Sequence, residues 1–191
     1  MDHTVLVLAN PTDRQLAMLE ALPGGTAVVV GHRAEAFENA AGDATVVLCW
    51  PGERELLRQV LGMARGVQWV HTRPAGLDGL LCPELAEPGV TLTNGRGVFS
   101  APLAEFVIGA ALFFAKDFRR MVRSQEAGAW DQFPIEEIAG RTMGIAGYGD
   151  IGRAVASRAR ALGMRVAALR RRPELSAADP LVDECFGPER L

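Results

Sequence analysis

A glycine-rich hexapeptide in the second half of the chain has the residue types and the spacing that phosphate binding requires. Residues 147–152 read Gly-Tyr-Gly-Asp-Ile-Gly and match the pattern G-x-G-x-x-G. The hexapeptide follows a predicted strand at 142–146 and opens a predicted helix at 150–162, and another strand is predicted at 165–169. A strand, a glycine turn and a helix in this order predict a βαβ unit that binds a dinucleotide.

The three glycines have separate physical tasks in such a unit. Gly147 permits the tight turn out of the strand, Gly149 lets a pyrophosphate approach the backbone, and Gly152 allows the helix to pack closely on the strand. The amides and the positive dipole end at the start of the helix favour a bound phosphate. We therefore predict a cofactor site that consists of Gly147, Tyr148, Gly149, Asp150, Ile151 and Gly152.

Three arginines follow the second strand, where an NAD site normally carries an acidic residue for the ribose 2′-OH. The chain reads Arg170-Arg171-Arg172-Pro173 at this point, with no acid. The guanidinium groups of Arg170 and Arg171 suit a 2′-phosphate by their charge and by their bidentate geometry. We therefore predict that NADP is preferred over NAD. A solvated basic turn is the alternative interpretation.

The composition excludes several classes of protein. Of 191 residues, 49% are hydrophobic and 23% are charged, as in ordinary globular proteins, and the net charge of -3 argues against a nucleic-acid binder. The cysteines, Cys49, Cys82 and Cys185, have no CxxC spacing and indicate neither a disulfide framework nor a zinc site. The start, Met1-Asp2-His3, is unlike a signal peptide, and the apolar run 106–115 is shorter than the ~20 residues of a membrane span. We expect a cytoplasmic protein that does not bind membranes.

The first half of the chain alternates short apolar runs with helical segments, which predicts a parallel sheet with helices on both faces. We predict strands at 5–8, 27–30, 46–48, 67–70 and 90–92, and helices at 14–22, 33–40 and 53–64.

The second half begins with a long helix, predicted over 103–125 after a start signal at Ser100 and Pro102. The helix is apolar nearly all round from 106 to 115, so we expect it to be buried on more than one side. A central core helix and a subunit interface both fit this pattern. We place the domain boundary at 98, giving domains 1–98 and 99–191.

Several segments together resemble the D-isomer-specific 2-hydroxyacid dehydrogenases. Residues 140–153 and 161–166 are similar to that family's cofactor domain, residues 69–78 to its substrate loop, and residues 92–98 and 104–106 to its hinge and interdomain helix. The resemblance implies an α/β fold in which a flavodoxin-like substrate domain precedes the first part of a Rossmann domain. It also implies hydride transfer between a nicotinamide cofactor and a small 2-hydroxy or 2-oxo acid.

The resemblance also implies which residues meet the substrate. Ala75 and Gly76 would offer backbone N–H groups to its carboxylate, although an ordinary turn is the alternative here. The family's catalytic Arg, Glu and His lie beyond the matched segments, so we assign no catalytic residue and expect the chain to be inactive alone. His71, at a strand end, is a weak candidate for a catalytic role, and Glu105 is interpreted as a structural carboxylate.

Two further hypotheses compete with the dehydrogenase. One is a non-catalytic dinucleotide-binding or dimerisation module, and the other is a flavodoxin-like response or carrier domain with a helical appendage. The glycine pattern argues against the carrier domain, which absent nucleotide binding would revive. The non-catalytic module predicts no turnover of any 2-oxo acid. As the resemblance implies, we expect a homodimer formed through the long helix and the loop that holds Trp130.

Overall fold

The computed structural model describes residues 3–50, 53–86 and 88–190. The polar start at Met1 and Asp2 lies outside the described residues. The chain divides into two compact units, Met1–Arg96 and Gly97–Leu191. Each unit has its own parallel sheet and its own hydrophobic core, so the predicted α/β fold class is confirmed.

The first unit contains a five-stranded sheet in the order β2-β1-β3-β4-β5, and all neighbouring strands are parallel. Its strands are β1 (Thr4–Leu8), β2 (Ala27–Gly31), β3 (Ala44–Cys49), β4 (Trp69–Thr72) and β5 (Thr91–Asn94). Helix α1 (Arg54–Met63) connects β3 to β4. All five strands are predicted by the sequence, because their β-branched runs are typical of a sheet covered on both faces.

The core of the first unit lies between the sheet and α1. Leu6 and Val47 point to the same face as Leu57 and Val60 of α1, and all four side chains are fully buried. The opposite face of β1 carries Val7, which belongs to a second buried cluster. The alternation of side chains along each strand therefore divides the apolar residues between two layers.

Two segments that the sequence predicts as helices are short and tightly wound. Arg14–Ala21 and Ala34–Phe37 form 3-10 helices. The Asp13 carboxylate caps the first one by accepting from the Gln15 amide only two residues on, at 2.9 Å. The second lies directly on Gly31, where an added Cβ would be 2.6 Å from the Ala36 Cβ. This segment therefore packs closely on β2.

The predicted long helix 103–125 is wrong as a single element. The structure has α2 (Ser100–Ala115) and α3 (Phe118–Glu126), separated at Asp117. Asp117 adopts a left-handed conformation with φ 47°, and its carboxylate accepts from the Arg120 amide at 3.3 Å. Aspartate is a poor interior helix residue and a good N-cap, so it ends one helix and starts the next.

The second unit contains a three-stranded parallel sheet in the order β6-β7-β8. Its strands are β6 (Thr142–Ala146), β7 (Arg165–Leu169) and β8 (Glu184–Phe186), and helix α4 (Asp150–Ala161) connects β6 to β7. Ala156 and Ala159 of α4 are fully buried with Val166 of β7. These bounds agree with the predicted strand–helix–strand unit.

In the single chain α2 is not a central core helix, and the alternative interpretation, a subunit interface, stays a prediction. Ala104 is its one buried residue, whereas Phe106 and Phe114 are each 75% exposed. The sequence shows how apolar this helix is, but periodicity carries no information on what covers it. Within the described residues, no helix is long and apolar enough to cross a membrane.

Candidate functional site

The glycine-rich hexapeptide forms the turn between β6 and α4. Gly147 has φ +100°, in the region that favours glycine, and its amide donates to the Leu169 carbonyl at 2.9 Å. The turn is therefore attached to the carboxyl end of β7. Gly149 takes the N-cap position of α4.

The structure gives different reasons for the second and third glycines. At Gly152 an added Cβ would lie 2.4 Å from the Gly147 carbonyl oxygen and 3.1 Å from the Ile145 Cγ2, so any side chain would push the helix off the turn. At Gly149 an added Cβ meets no atom within 4 Å. The space beside Gly149 is open, as the approach of a pyrophosphate to the backbone requires.

The start of α4 offers hydrogen-bond donors to this space. The Arg153 amide makes an intrahelical bond to the Gly149 carbonyl at 2.9 Å. The amides of Ile151 and Gly152 come before it, in the first turn, where N–H groups have no intrahelical acceptor. The positive end of the helix dipole adds to their attraction for an anion.

A hollow of about 400 Å³ adjoins the turn within the second unit. Small or apolar residues line it, including Val107, Gly144, Ala146, Gly147, Ile151 and Val155. Its walls therefore suit an apolar group next to the donors at the start of the helix.

Tyr148 is buried, with 4% of its surface exposed, and its hydroxyl donates to the Asp179 carboxylate at 3.1 Å. Burial, followed by the hydrogen bond to Asp179, raises the pKa of Tyr148 to about 12. Its phenol therefore stays protonated, and the side chain supports the turn from within the protein. The sequence gives no signal for Asp179, which lies 31 residues further along the chain.

The three arginines after β7 have different surroundings. The Arg170 amide donates to the Phe186 carbonyl at 3.1 Å, and its guanidinium donates to the hydroxyl of the buried Ser176. Arg171 and Arg172 are exposed. Among the described residues, no hydrogen bond or ion pair holds either of their guanidinium groups. Arg171 is therefore available to an anionic ligand, whereas Arg170 is partly engaged.

Ala75 and Gly76 lie in an exposed turn after β4. The Asn94 side-chain amide donates to the Ala75 carbonyl at 2.6 Å, and the Gly95 amide donates to the Pro74 carbonyl at 3.3 Å. An added Cβ at Gly95 would lie 2.1 Å from the Arg73 carbonyl oxygen. The end of β5 therefore fixes the turn from one side.

Arg73 connects three loops at the carboxyl edge of the first sheet, an arrangement that sequence reasoning missed. Its guanidinium lies 4.7 Å from the centre of the Trp50 ring and donates to the Gln15 side chain. The Trp50 indole N–H in turn donates to Asp13 at 2.8 Å. Arg73 therefore braces the turn that contains Ala75 from a second side.

The other polar candidates have structural partners. His71 Nδ1 lies 2.8 Å from the Thr93 hydroxyl, which also accepts from the Trp69 indole at 2.8 Å. Glu105 accepts from Arg158 of α4 at 3.2 Å. Within the described residues, no group of three or more His, Cys, Asp or Glu side chains could hold a metal ion.

Sequence comparison finds similarity to one family. Residues 108–185 match the family model described as D-isomer specific 2-hydroxyacid dehydrogenase, NAD binding domain. The chain is 28% identical over 163 residues to a D-3-phosphoglycerate dehydrogenase of Methanocaldococcus jannaschii, covering 84% of this chain and 31% of that protein. It is 34% identical over 95 residues to a hydroxypyruvate reductase of Thermotoga maritima, covering 49% of this chain and 31% of that protein. The chain thus spans about a third of the length of these relatives.

Structure comparison finds the fold of these proteins. A D-isomer specific 2-hydroxyacid dehydrogenase from Xanthobacter autotrophicus, solved in complex with NADPH and MES, superimposes with a TM-score of 0.75. The match covers 98% of this chain and 58% of that chain at 23% identity. At this identity the match shows a shared fold, with a Rossmann domain in the second unit.

Proposed function

We propose that this chain, which is related to the D-isomer specific 2-hydroxyacid dehydrogenases, binds a nicotinamide dinucleotide in its second unit as part of an NAD(P)-dependent oxidoreductase. The observation that carries the proposal is the glycine turn between β6 and α4. Gly147 has a positive φ, Gly152 has no room for a Cβ, and the space beside Gly149 is open. This combination fits the diphosphate of a dinucleotide.

The residues of the chain would divide the binding between them. The amides at Ile151 and Gly152 would donate to the diphosphate, and the open backbone at Gly149 would let it approach. The apolar walls of the adjoining hollow would exclude water from the bound cofactor. A nicotinamide, when bound, supplies the hydride donor or acceptor for the reaction.

We further propose that the cofactor is NADPH rather than NADH. The two arginines after β7, Arg170 and Arg171, replace the acid that would accept from a ribose hydroxyl. The exposed guanidinium of Arg171 would form charge-assisted hydrogen bonds with the 2′-phosphate. The NADPH complex of the Xanthobacter relative supports this choice of cofactor.

Isothermal titration calorimetry with each cofactor tests both proposals. We expect Arg171→Ala to weaken NADPH binding about tenfold or more, as the loss of a charge-assisted hydrogen bond predicts, and to leave NADH binding unchanged. The matched control is Arg172→Ala, which is expected to have the smaller effect. NADH binding that equals or exceeds NADPH binding in the wild-type chain would contradict the preference, and no binding of either would contradict the site.

We propose a small 2-hydroxy or 2-oxo acid as the substrate of the complete enzyme. The backbone amides at Ala75 and Gly76 would donate to its carboxylate, because the turn is exposed and is fixed by Asn94 and Arg73. The named activities of the relatives, on phosphoglycerate and hydroxypyruvate, support this substrate class. Turnover assays of the complete enzyme with glyoxylate, hydroxypyruvate and pyruvate test it, and turnover of none of the three would contradict it.

We also propose that the chain forms a homodimer through α2, α3 and the loop that follows them. Phe106, Phe114 and Trp130 expose 75%, 75% and 91% of their surfaces. Arg120 holds this loop by donating to Asp131 at 2.9 Å. Exposed aromatic side chains of this number are typical of an interface.

Sedimentation velocity tests the dimer. We expect the wild-type chain to sediment as a dimer, and we expect Trp130→Ala combined with Phe106→Glu to shift it to the monomer. The control is Met18→Ser, which removes a 71% exposed apolar side chain from the first unit. A wild-type monomer at micromolar concentration would contradict the proposal.

A further inference from the structure

Tyr148 is the largest side chain of the glycine turn, and it points into the protein. It lies between Gly147 and Gly149, the two residues of the turn with the greatest conformational freedom. Its ring belongs to the buried cluster of the second unit, and its hydroxyl donates to Asp179 Oδ2 at 3.1 Å. The position of this one side chain therefore restricts both neighbouring glycines.

Asp179 receives hydrogen bonds from three different parts of the second unit. Arg153 Nε, from α4, donates to the same Oδ2 at 2.8 Å, and the Leu181 amide donates to Oδ1 at 3.1 Å. The Asp179 side chain is only 13% exposed. Burial alone would raise the pKa of Asp179, but the bonds from Leu181, Arg153 and Tyr148 together hold it below its usual value. The group is therefore an anion with fixed oxygens.

We infer that Tyr148 and Asp179 are positioning residues that hold the glycine turn in the shape that binds the dinucleotide diphosphate. The inference rests on the proposed dinucleotide site and adds two residues that do not touch the ligand. A turn with two glycines loses much conformational entropy when it is ordered. A turn that is already ordered in the free protein does not lose that entropy on binding, so its affinity is higher.

Arg153 completes the arrangement by neutralising Asp179. Arg153 directly follows the glycine pattern and lies in the first turn of α4. From the sequence alone, a cation at this position would suggest direct binding to the phosphate. Its Nε is 2.8 Å from Asp179. The pair thus keeps the negative charge of Asp179 from weakening the positive end of the helix dipole. Arg153 acts through Asp179 rather than on the ligand.

Two variants remove the link while leaving the fold in place. Tyr148→Phe deletes the hydroxyl and keeps the buried ring, and Asp179→Asn removes the charge and keeps the side-chain shape. The matched control is Glu184→Gln, which breaks the 2.7 Å ion pair between Glu184 of β8 and Arg190. Among the described residues, no hydrogen bond or ion pair joins Glu184 to the turn. Circular dichroism checks that all three chains fold.

Hydrogen exchange of the free protein is the first measurement. We expect the hydrogen-bonded amides of Gly147 and Arg153, which donate to the Leu169 and Gly149 carbonyls, to exchange about fivefold faster in Tyr148→Phe. The reason is that the turn opens locally more easily once the Tyr148 hydrogen bond is lost. Glu184→Gln is expected to exchange at this turn like the wild type. Unchanged exchange in both Tyr148→Phe and Asp179→Asn would overturn the inference, whether or not the chain binds a dinucleotide.

Calorimetric affinity is the second measurement. We expect both variants to weaken NADPH and NADH by the same factor, about fivefold, since the diphosphate is common to both. Equal affinity in the variants and the wild type would overturn the positioning role. A wild-type chain that binds neither dinucleotide, while the turn exchanges faster in Tyr148→Phe, would overturn the proposed function and leave the structural link supported.

Discussion

The two units of the chain hold their sheets together by different means. In the first unit, strands β1, β3 and β4 carry fully buried side chains such as Leu6, Val47 and Val70. In the second, β6 alternates between exposed and half-buried residues, and none of its side chains is fully buried. Two carboxylates, Asp179 and Asp183, instead connect the elements of the second unit by hydrogen bonds. The comparison indicates that apolar burial stabilises the first unit, whereas polar links shape the candidate site in the second.

The largest effect that the comparison predicts is a loss of stability from truncating the first core. Leu57 of α1 is fully buried against the sheet, so Leu57→Ala is expected to lower the free energy of unfolding by about 2–5 kcal/mol. Urea denaturation, followed by tryptophan fluorescence, measures it, since Trp50 and Trp69 both lie in the same unit. Met18→Ala, at a side chain that is 71% exposed, is the control and should change stability by less than about 0.5 kcal/mol.

The second prediction concerns the tightest contact of the candidate site. Gly152→Ala places a Cβ 2.4 Å from the Gly147 carbonyl oxygen, a backbone atom that cannot move away cheaply. We expect a loss of about 1–3 kcal/mol in stability together with a loss of dinucleotide binding. Gly62→Ala is the matched control, because a Cβ at this position of α1 meets no atom within 4 Å. Its stability should rise by up to about 1 kcal/mol. A fully stable Gly152→Ala would contradict the account.

The third prediction uses pH to separate the two units. Asp183 accepts from the Val166 amide at 2.7 Å and from Arg160 at 2.9 Å. The Val166 bond, with the charge of Arg160, holds the pKa of Asp183 below its usual value despite opposing desolvation. A lowered pKa in the folded state means that the stabilisation is complete above the unfolded pKa of about 3.9, and is lost as the pH falls through the lower folded value.

Acid titration of the wild type and of Asp183→Asn measures this effect. We expect the variant to lose stability at pH 6 and to show less further loss between pH 5 and pH 3, the range set by the carboxyl pKa. The amide signals of β7 in nuclear magnetic resonance report on the second unit, which contains Asp183. An acid transition with the same midpoint and size in both chains would show that Asp183 does not connect β7 to the segment before β8.

These contrasts also explain what the sequence can and cannot predict. Strands β6 and β7 have the predicted bounds. Apolar runs predict both strands, and the glycine turn marks the end of β6. The break at Asp117 was missed, since the apolar pattern continues across it and the cap depends on one left-handed residue. The link from Tyr148 to Asp179 was missed for a different reason. Its partners are 31 residues apart, and no periodicity connects them.

The smallest predicted effect is a gain in stability. Thr72 of β4 is fully buried, and its hydroxyl has no hydrogen-bond partner among the described residues. Thr72→Val keeps the shape and removes the unsatisfied group, so we expect it to stabilise the chain by about 1 kcal/mol. Thr72→Ser keeps the hydroxyl and loses the methyl group, and should destabilise the chain. A less stable Thr72→Val would mean that the hydroxyl has a partner.

The central claim is that the main chain at the start of α4 binds the diphosphate of a nicotinamide dinucleotide. Nuclear magnetic resonance of the ¹⁵N-labelled chain, titrated with NADPH, tests it most directly. The account predicts that the amide signals of Gly149, Ile151 and Gly152 move most and saturate together. If those three signals remain in place at saturating NADPH while signals elsewhere move, the dinucleotide binds at another site and the claim is wrong.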